Sequence, residues 1–162
     1  MPEPAHACIR RAPARVLELK QLLSIEQIVF LEAQRVGHLG TVDATGQPHV
    51  VPVCFAWLDG VLFTPIDEKP KTADPLALRR VRNLQANPAV CLTVDHYEED
   101  WRHLAWLQVR GHAEIVAEPA THLASIAALR ARYPHYRAMD LESRPMIRIT
   151  PERVVEWRAN PR

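Results

Sequence analysis

The sequence predicts an α+β domain whose strands close into a β-barrel with helices on its periphery. Three observations lead there. From Val36 to Asp95 the chain runs through GHLGTVDATGQPHVVPVCFAW, VLFTPIDEKPK and RRVRNLQANPAVCLTVD, short apolar runs broken by turn residues. The helical patterns interrupt the strands irregularly instead of alternating with them, which disfavours a doubly wound parallel sheet. No GxGxxG or P-loop sequence is present.

Residues 1–15 are rich in Pro, Ala and Arg without a period, so residues 1–23 read as a tail and lead-in to one domain spanning 24–162. Ser24 with Gln27 three residues on is a capping box, followed by Ile25, Ile28 and Val29 at helical spacing. Residues 38–42 form the first strand. Asp43 to Pro48 supply turn chemistry, with a side chain that bonds its own backbone and a glycine free to take positive φ. Residues 49–57 form a long second strand. Pro52 within it has no N–H for a ladder, so the strand is bulged there or open towards a ligand. Asp59-Gly60 marks a hairpin, and residues 61–65 form the third strand.

A polar loop with Lys69, Lys71 and Thr72 leads to Pro75, where a helix starts; Leu76, Leu78, Val81 and Leu84 make its buried stripe and Asn87-Pro88 ends it. Residues 89–95 form the fourth strand and 104–116 the fifth, bent at Gly111. A helix over 119–133 carries Leu123, Ile126, Ala127 and Leu129. Strands at 146–149 and 154–157, separated by Thr150 to Arg153, complete the sheet.

Composition bounds the function. The 162 residues suit one domain with a real core, and 48% are apolar. A net charge of +1 gives no support to nucleic-acid coating. Cys8, Cys54 and Cys91 form no CxxC pair, and two of them sit in apolar strand patterns, so neither a disulfide framework nor a zinc site is expected. Arg10, Arg11 and Arg15 interrupt any leader-like apolar run, and no stretch reaches the ~20 apolar residues of a membrane span. A cytoplasmic protein is the expectation.

Lys69, Lys71, Arg79 and Arg82 are the strongest local signal. A phosphate takes cations and free N–H donors at a helix terminus, and these residues flank one. A helix with a basic outer face is the plainer reading. His96 and His103 flank the acidic loop, but no third ligand is spaced to complete a metal site. Trp57, Trp101, Trp106 and Trp157 are the large aromatics. Trp106, on an apolar strand, reads as packing. Trp101, in a polar loop, suits a ligand or dimer contact, or plain surface.

The GQPHVVPV strand, the KPK loop and the RNLQANPAVCLTVDHY segment together resemble the pyridoxamine 5′-phosphate oxidase-like superfamily, and within it the branch of deazaflavin (coenzyme F420)-dependent enzymes. The likeness covers roughly Ile25 to Trp157. It implies a split β-barrel homodimer with cofactor sites at the interface. The phosphate-binding lysine would be Lys71, assisted by Thr64, Lys69 and Thr72. The backbone of Val51, Pro52 and Val53 would approach the ring. Arg79, Arg82 and Asn83 would extend the anion site, and Trp101 and Trp106 would come from the second subunit. The stretch VVPVCF lacks the Arg and Lys that pyridoxamine phosphate oxidases carry on this strand, and no arginine-rich C-terminal substrate motif is evident, which argues against pyridoxamine phosphate as substrate.

The resemblance implies hydride transfer between F420 and a small conjugated substrate. FMN with oxygen as acceptor is the alternative cofactor, and a flavin or tetrapyrrole carrier without turnover the alternative class. The arginines at 79, 80 and 82 favour the longer, polyanionic deazaflavin tail. No residue is assigned as catalytic, although His49 or Tyr97 could protonate a product.

Overall fold

Helix α1 (Ile25–Ala33) starts on the capping box read from the sequence: Ser24 Oγ accepts from the Gln27 N–H, and Gln27 Oε1 accepts from the Ser24 N–H. This helix opens a computed structural model that describes residues 22–67 and 75–160. Leu31 on α1 is fully buried, whereas Ile25 and Val29 face outwards.

Seven strands follow: β1 (Gly37–Val42), β2 (Pro48–Val53), β3 (Ala56–Leu58), β4 (Val61–Pro65), β5 (Ala89–His96), β6 (Ala105–Ile115) and β7 (Met146–Arg158). They form one antiparallel sheet in the order β2-β1-β5-β6-β7-β4-β3. The two edge strands, β2 and β3, are joined by Cys54 and Phe55 alone. Three Cα steps span at most about 11 Å. The sheet therefore curls until its edges nearly meet, and the result is a half-open barrel.

The barrel interior is apolar. Leu39, Leu62, Leu92, Leu107, Val109, Ile147 and Ile149 fill it, joined by Leu31 from α1 and by Val81 and Leu84 from α2 (Arg79–Ala86). A second apolar cluster lies outside the barrel wall. There α3 (Pro119–Arg132) and the turn after it pack Ile126, Leu129, Tyr133 and Tyr136 against Ala56, Phe63 and Met146. β4 is thus covered on both faces, with Leu62 inside and Phe63 under the α3 cluster.

Several boundaries differ from the sequence reading. The long second strand is two strands, because the chain leaves one sheet edge at Val53 and joins the other at Ala56. Pro52 causes no bulge: the β1–β2 register runs unbroken from Gly37↔Val53 to Val42↔Pro48. An edge strand tolerates it. The last two strands are one. β6 and β7 shift register between Arg110↔Arg153 and Gly111↔Pro151, so a bulge on β7 absorbs Pro151 and Glu152. The expected bend at Gly111 sits at this point. The helix after the lysine loop begins as a short 3-10 turn (Pro75–Ala77), and extended Leu78 delays α2 to Arg79. Leu76 and Leu123 are exposed rather than buried. The Asp59-Gly60 hairpin forms with positive φ at both residues, 50° and 85°.

Candidate functional site

The site is built on the β1–β2 hairpin and the helix laid across it. Asp43 organises the hairpin turn: its Oδ1 accepts from Thr45 Oγ1 at 2.7 Å, the Thr45 N–H at 2.9 Å and the Gln47 N–H at 3.0 Å. The Thr45 hydroxyl, then the Gln47 amide, hold its pKa down to about 2. α2 is fastened to the hairpin by Asn83, whose Nδ2 donates to Thr41 Oγ1 at 2.9 Å, both side chains being buried.

That bond fixes where α2 begins. Its N-cap, Leu78, offers no side-chain bond, and its first turn holds no acid. A helix start carries free N–H groups and partial positive charge. Here Arg79 and Arg80 add two cations. Arg79 reaches Asp43 Oδ2 at 3.4 Å, a loose and exposed pair. Arg82, one turn on, is exposed.

His49 stands in the hairpin opposite Thr41 and, by strand alternation, on the same face as Val51 and Val53. Its Nδ1 is closed to solvent and has no hydrogen-bond partner among the described residues. Burial, and after it the charges of Arg79 and Arg80, hold its pKa below the usual histidine value. The ring is therefore neutral at pH 7.

Near Arg80, Tyr136 Oη donates to Asp67 Oδ2 at 3.2 Å, both buried. Burial, with the Cys54 thiol and the Asp67 carboxylate nearby, pushes the Tyr136 pKa up. Burial likewise lowers that of Arg80, while Asp67 and Tyr136 oppose the shift.

The other sequence-predicted positions fall as follows. Val51, Pro52 and Val53 lie on β2, an edge strand, with Pro52 exposed, Val51 half-buried and Val53 buried. Thr64 is buried on β4 opposite Ile147. Lys69, Lys71 and Thr72 lie outside the described residues, between Asp67 and Pro75. Asn83 is committed to Thr41, so its part is to seat the helix that carries the arginines.

Trp101 is 68% exposed and Trp106 half-buried opposite Trp157. β6 stands three strands from β2. At about 4.8 Å per strand that is roughly 14 Å, so one chain does not bring Trp106 to the hairpin. Trp106 lies on the outer sheet face, where Val50 (61%) and Trp157 (45%) are exposed and Gly40, Cys91 and Thr93 are half-buried, whereas Trp101 sits in the short 3-10 turn (Trp101–His103) that precedes β6. His96 and His103 do meet, on Glu98: His96 Nε2 is 3.7 Å from Oε2, and His103 Nδ1 contacts Oε1. Among the described residues no three side chains form a metal-binding group.

With this geometry in place, the sequence profile of the pyridoxamine 5′-phosphate oxidase family matches residues 25–158. The chain belongs to that family. A 5a,11a-dehydrotetracycline/5a,11a-dehydrooxytetracycline reductase of Streptomyces rimosus is 31% identical over 138 residues, 82% of this chain and 80% of the relative. Among solved structures, Rv2991 of Mycobacterium tuberculosis matches with a TM-score of 0.70 at 23% identity, over 85% of this chain and 86% of that one. An FAD-binding protein of Mesorhizobium loti matches with a TM-score of 0.60 at 25% identity, over 83% and 94%. The family fold, a split barrel, is the one described above. An oxidoreductase family with flavin-binding members is thus the frame for the site. No helix among the described residues is long and apolar enough to cross a membrane.

In the sequence reading Arg80 counts only towards the cationic run that favours a longer anionic tail, and His49 only as a group that could protonate a product. Alternation through Val53, Val51 and His49 was the available signal. It places His49 on the buried face, where an unpaired imidazole is costly unless something binds it.

Proposed function

We propose that the protein is a coenzyme F420-dependent reductase that transfers hydride between the deazaflavin and a small conjugated substrate. One observation carries the reading: an uncapped helix start bearing Arg79 and Arg80 is docked by Asn83 onto the same hairpin whose outer strand, β2, leaves its edge open. The cationic end suits an anionic cofactor tail. The β2 backbone at Val51, Pro52 and Val53 suits a flat ring laid against it. Lys69, Lys71 and Thr72 would reach the tail from the loop after β4, and Arg82 would extend the site.

When bound, the reduced deazaflavin supplies a hydride, and the substrate's conjugated double bond accepts it and takes one proton from water. The chain's own part is placement: Arg79, Arg80 and the lysine loop hold the tail, and β2 orients the ring. The Streptomyces rimosus relative, named for reducing dehydro forms of two tetracyclines, supports reduction of an unsaturated small molecule. The exposed outer face around Val50 and Trp157 supports a two-fold dimer. Such a dimer would carry Trp101 and Trp106 of one copy towards β2 of the other.

FMN is the second cofactor reading, favoured by the flavin-binding relative. Single-turnover assays separate the two. Purified protein is mixed with reduced F420, or with reduced FMN, and a panel of enones, quinones and dehydrotetracycline. Oxidation of F420 matched by loss of the substrate double bond supports the proposal. Turnover with FMN alone overturns it.

A further inference from the structure

We propose that residues 15–20 of this chain seat on the outward face of α1 and fill the groove between that helix and the end of β7. The inference goes beyond the reductase reading and does not depend on it. α1 buries Leu31 completely, yet Ile25 (75%) and Val29 (62%), one turn apart on its other side, are exposed. They border an open groove of about 530 Å³ whose walls include Glu26, Phe30, Glu156 and Arg158. The Arg158 guanidinium lies 5.0 Å from the centre of the Phe30 ring, which joins strand end to helix. Side chains alternate along β7, so Glu156 and Arg158 share the α1 side while exposed Trp157 takes the outer sheet face. The two-fold dimer through that outer face therefore leaves the groove uncovered.

Position, reach and composition select the chain's own preceding stretch as the occupant. Residues 1–21 lie outside the described residues, which begin at Leu22, three positions before Ile25 at the mouth of the groove. The seven positions from Arg15 to Leu22 span up to roughly 23 Å when extended. The nine residues of α1 cover only about 13 Å, so a chain that reverses before the Ser24 cap can run back along the whole helix. Val16, Leu17 and Leu19 supply apolar side chains for Ile25, Val29 and Phe30, with Arg15 and Lys20 at the two ends. The charges are complementary. Residues 1–21 carry Arg10, Arg11, Arg15 and Lys20 against Glu3 and Glu18, whereas the groove holds Glu26 and Glu156 against Arg158, itself 3.6 Å from Glu156.

Limited trypsin digestion of the full-length protein tests the seating, with cleavage after Arg11 as the internal standard. Cleavage after Arg15 and Lys20 should be roughly tenfold slower than after Arg11, since a seated stretch is cut only when it lifts off. In Ile25→Ser combined with Val29→Ser that protection should disappear. Both positions are exposed, and thermal melting establishes that the variant is folded. Equal cleavage at all three sites in the natural protein, or protection that survives the double variant, overturns the inference. A photo-crosslinker, p-benzoylphenylalanine, at position 29 gives a second readout in a mixture of isotope-labelled and unlabelled chains. Crosslinks to residues 15–20 of the same chain support the inference. Crosslinks to another copy, to a different segment or to nothing overturn it. Neither measurement involves F420, so failure here leaves the functional reading intact.

Discussion

The Tyr133 hydroxyl accepts the Phe55 N–H at 3.1 Å and lies 2.9 Å from the Phe55 carbonyl oxygen. Phe55 belongs to the two-residue link between the sheet's opposite edges, so one side chain of the segment after α3 secures the barrel's closure. The Arg132 guanidinium donates to the same hydroxyl at 3.0 Å and lies 5.0 Å from the centre of the Phe55 ring. Tyr133→Phe removes the hydroxyl that meets both the N–H and the carbonyl oxygen of Phe55 and strands a buried N–H. A loss of about 1–3 kcal/mol is expected, read from the urea midpoint at unchanged slope.

A Cβ at Gly111 would lie 2.0 Å from the Thr150 carbonyl oxygen. Backbone cannot yield as a flexible side chain can. Gly111→Ala should therefore disturb the bulge that lets β7 pass Pro151 as one strand, at about 2–3 kcal/mol. Gly46→Ala is the contrast. Its φ of +87° carries strain, but nothing lies within 4 Å, so its cost should be smaller. Equal melting temperatures for Gly111→Ala and the natural protein would refute the close approach.

Asp43 has a depressed pKa, about 2 against an ordinary 3.8, through Thr45 and Gln47. The sign follows from linkage: its contribution to stability is present above the unfolded value and is lost as pH falls from about 4 towards 2. Carboxyl chemical shifts should show Asp43 ionised below pH 3, and Thr45→Val should raise its midpoint. An Asp43 midpoint near 4 in the natural protein would contradict the turn geometry.

Asn83 and Thr41 form a buried pair, and breaking it from either side leaves a polar group unpaired. Asn83→Ala should cost about 1–3 kcal/mol and weaken cofactor binding by displacing the start of α2. In a double-mutant cycle with Thr41→Val the two losses should be strongly non-additive. Additive losses would mean that the pair does not couple helix to hairpin.

The arginines give the clearest functional contrast. Arg79→Ala combined with Arg82→Ala should weaken F420 binding about 10–100-fold, the scale of two charge-assisted contacts, and affect FMN less because its tail is shorter. Unchanged F420 affinity would remove the electrostatic basis for preferring the deazaflavin.

Local rules carried the sequence reading far. Ser24 and Gln27 were legible as a cap, Asp59-Gly60 as a turn, and residues 61–65 as a strand, because each signal depends on neighbours a few residues apart. The break at Cys54 and Phe55 was not, since an apolar run looks alike whether it stays in one strand or crosses between sheet edges. Only Tyr133, 78 residues away, marks the crossing. β7 was cut in two for the opposite reason: Pro151 signals a break locally, and the bulge opposite Gly111 cancels it. The cationic segment was legible from charge. That Asn83 seats the helix became visible only once α2 lay across β1.

The central claim is deazaflavin binding at the α2 end of the β1–β2 hairpin. Cofactor-stripped protein titrated in parallel with F420 and FMN, followed by tryptophan and cofactor fluorescence, tests it most directly. The account predicts saturable F420 binding, tighter than FMN, that is weakened in the Arg79/Arg82 double variant. Tighter binding of FMN, or binding of neither, would contradict it.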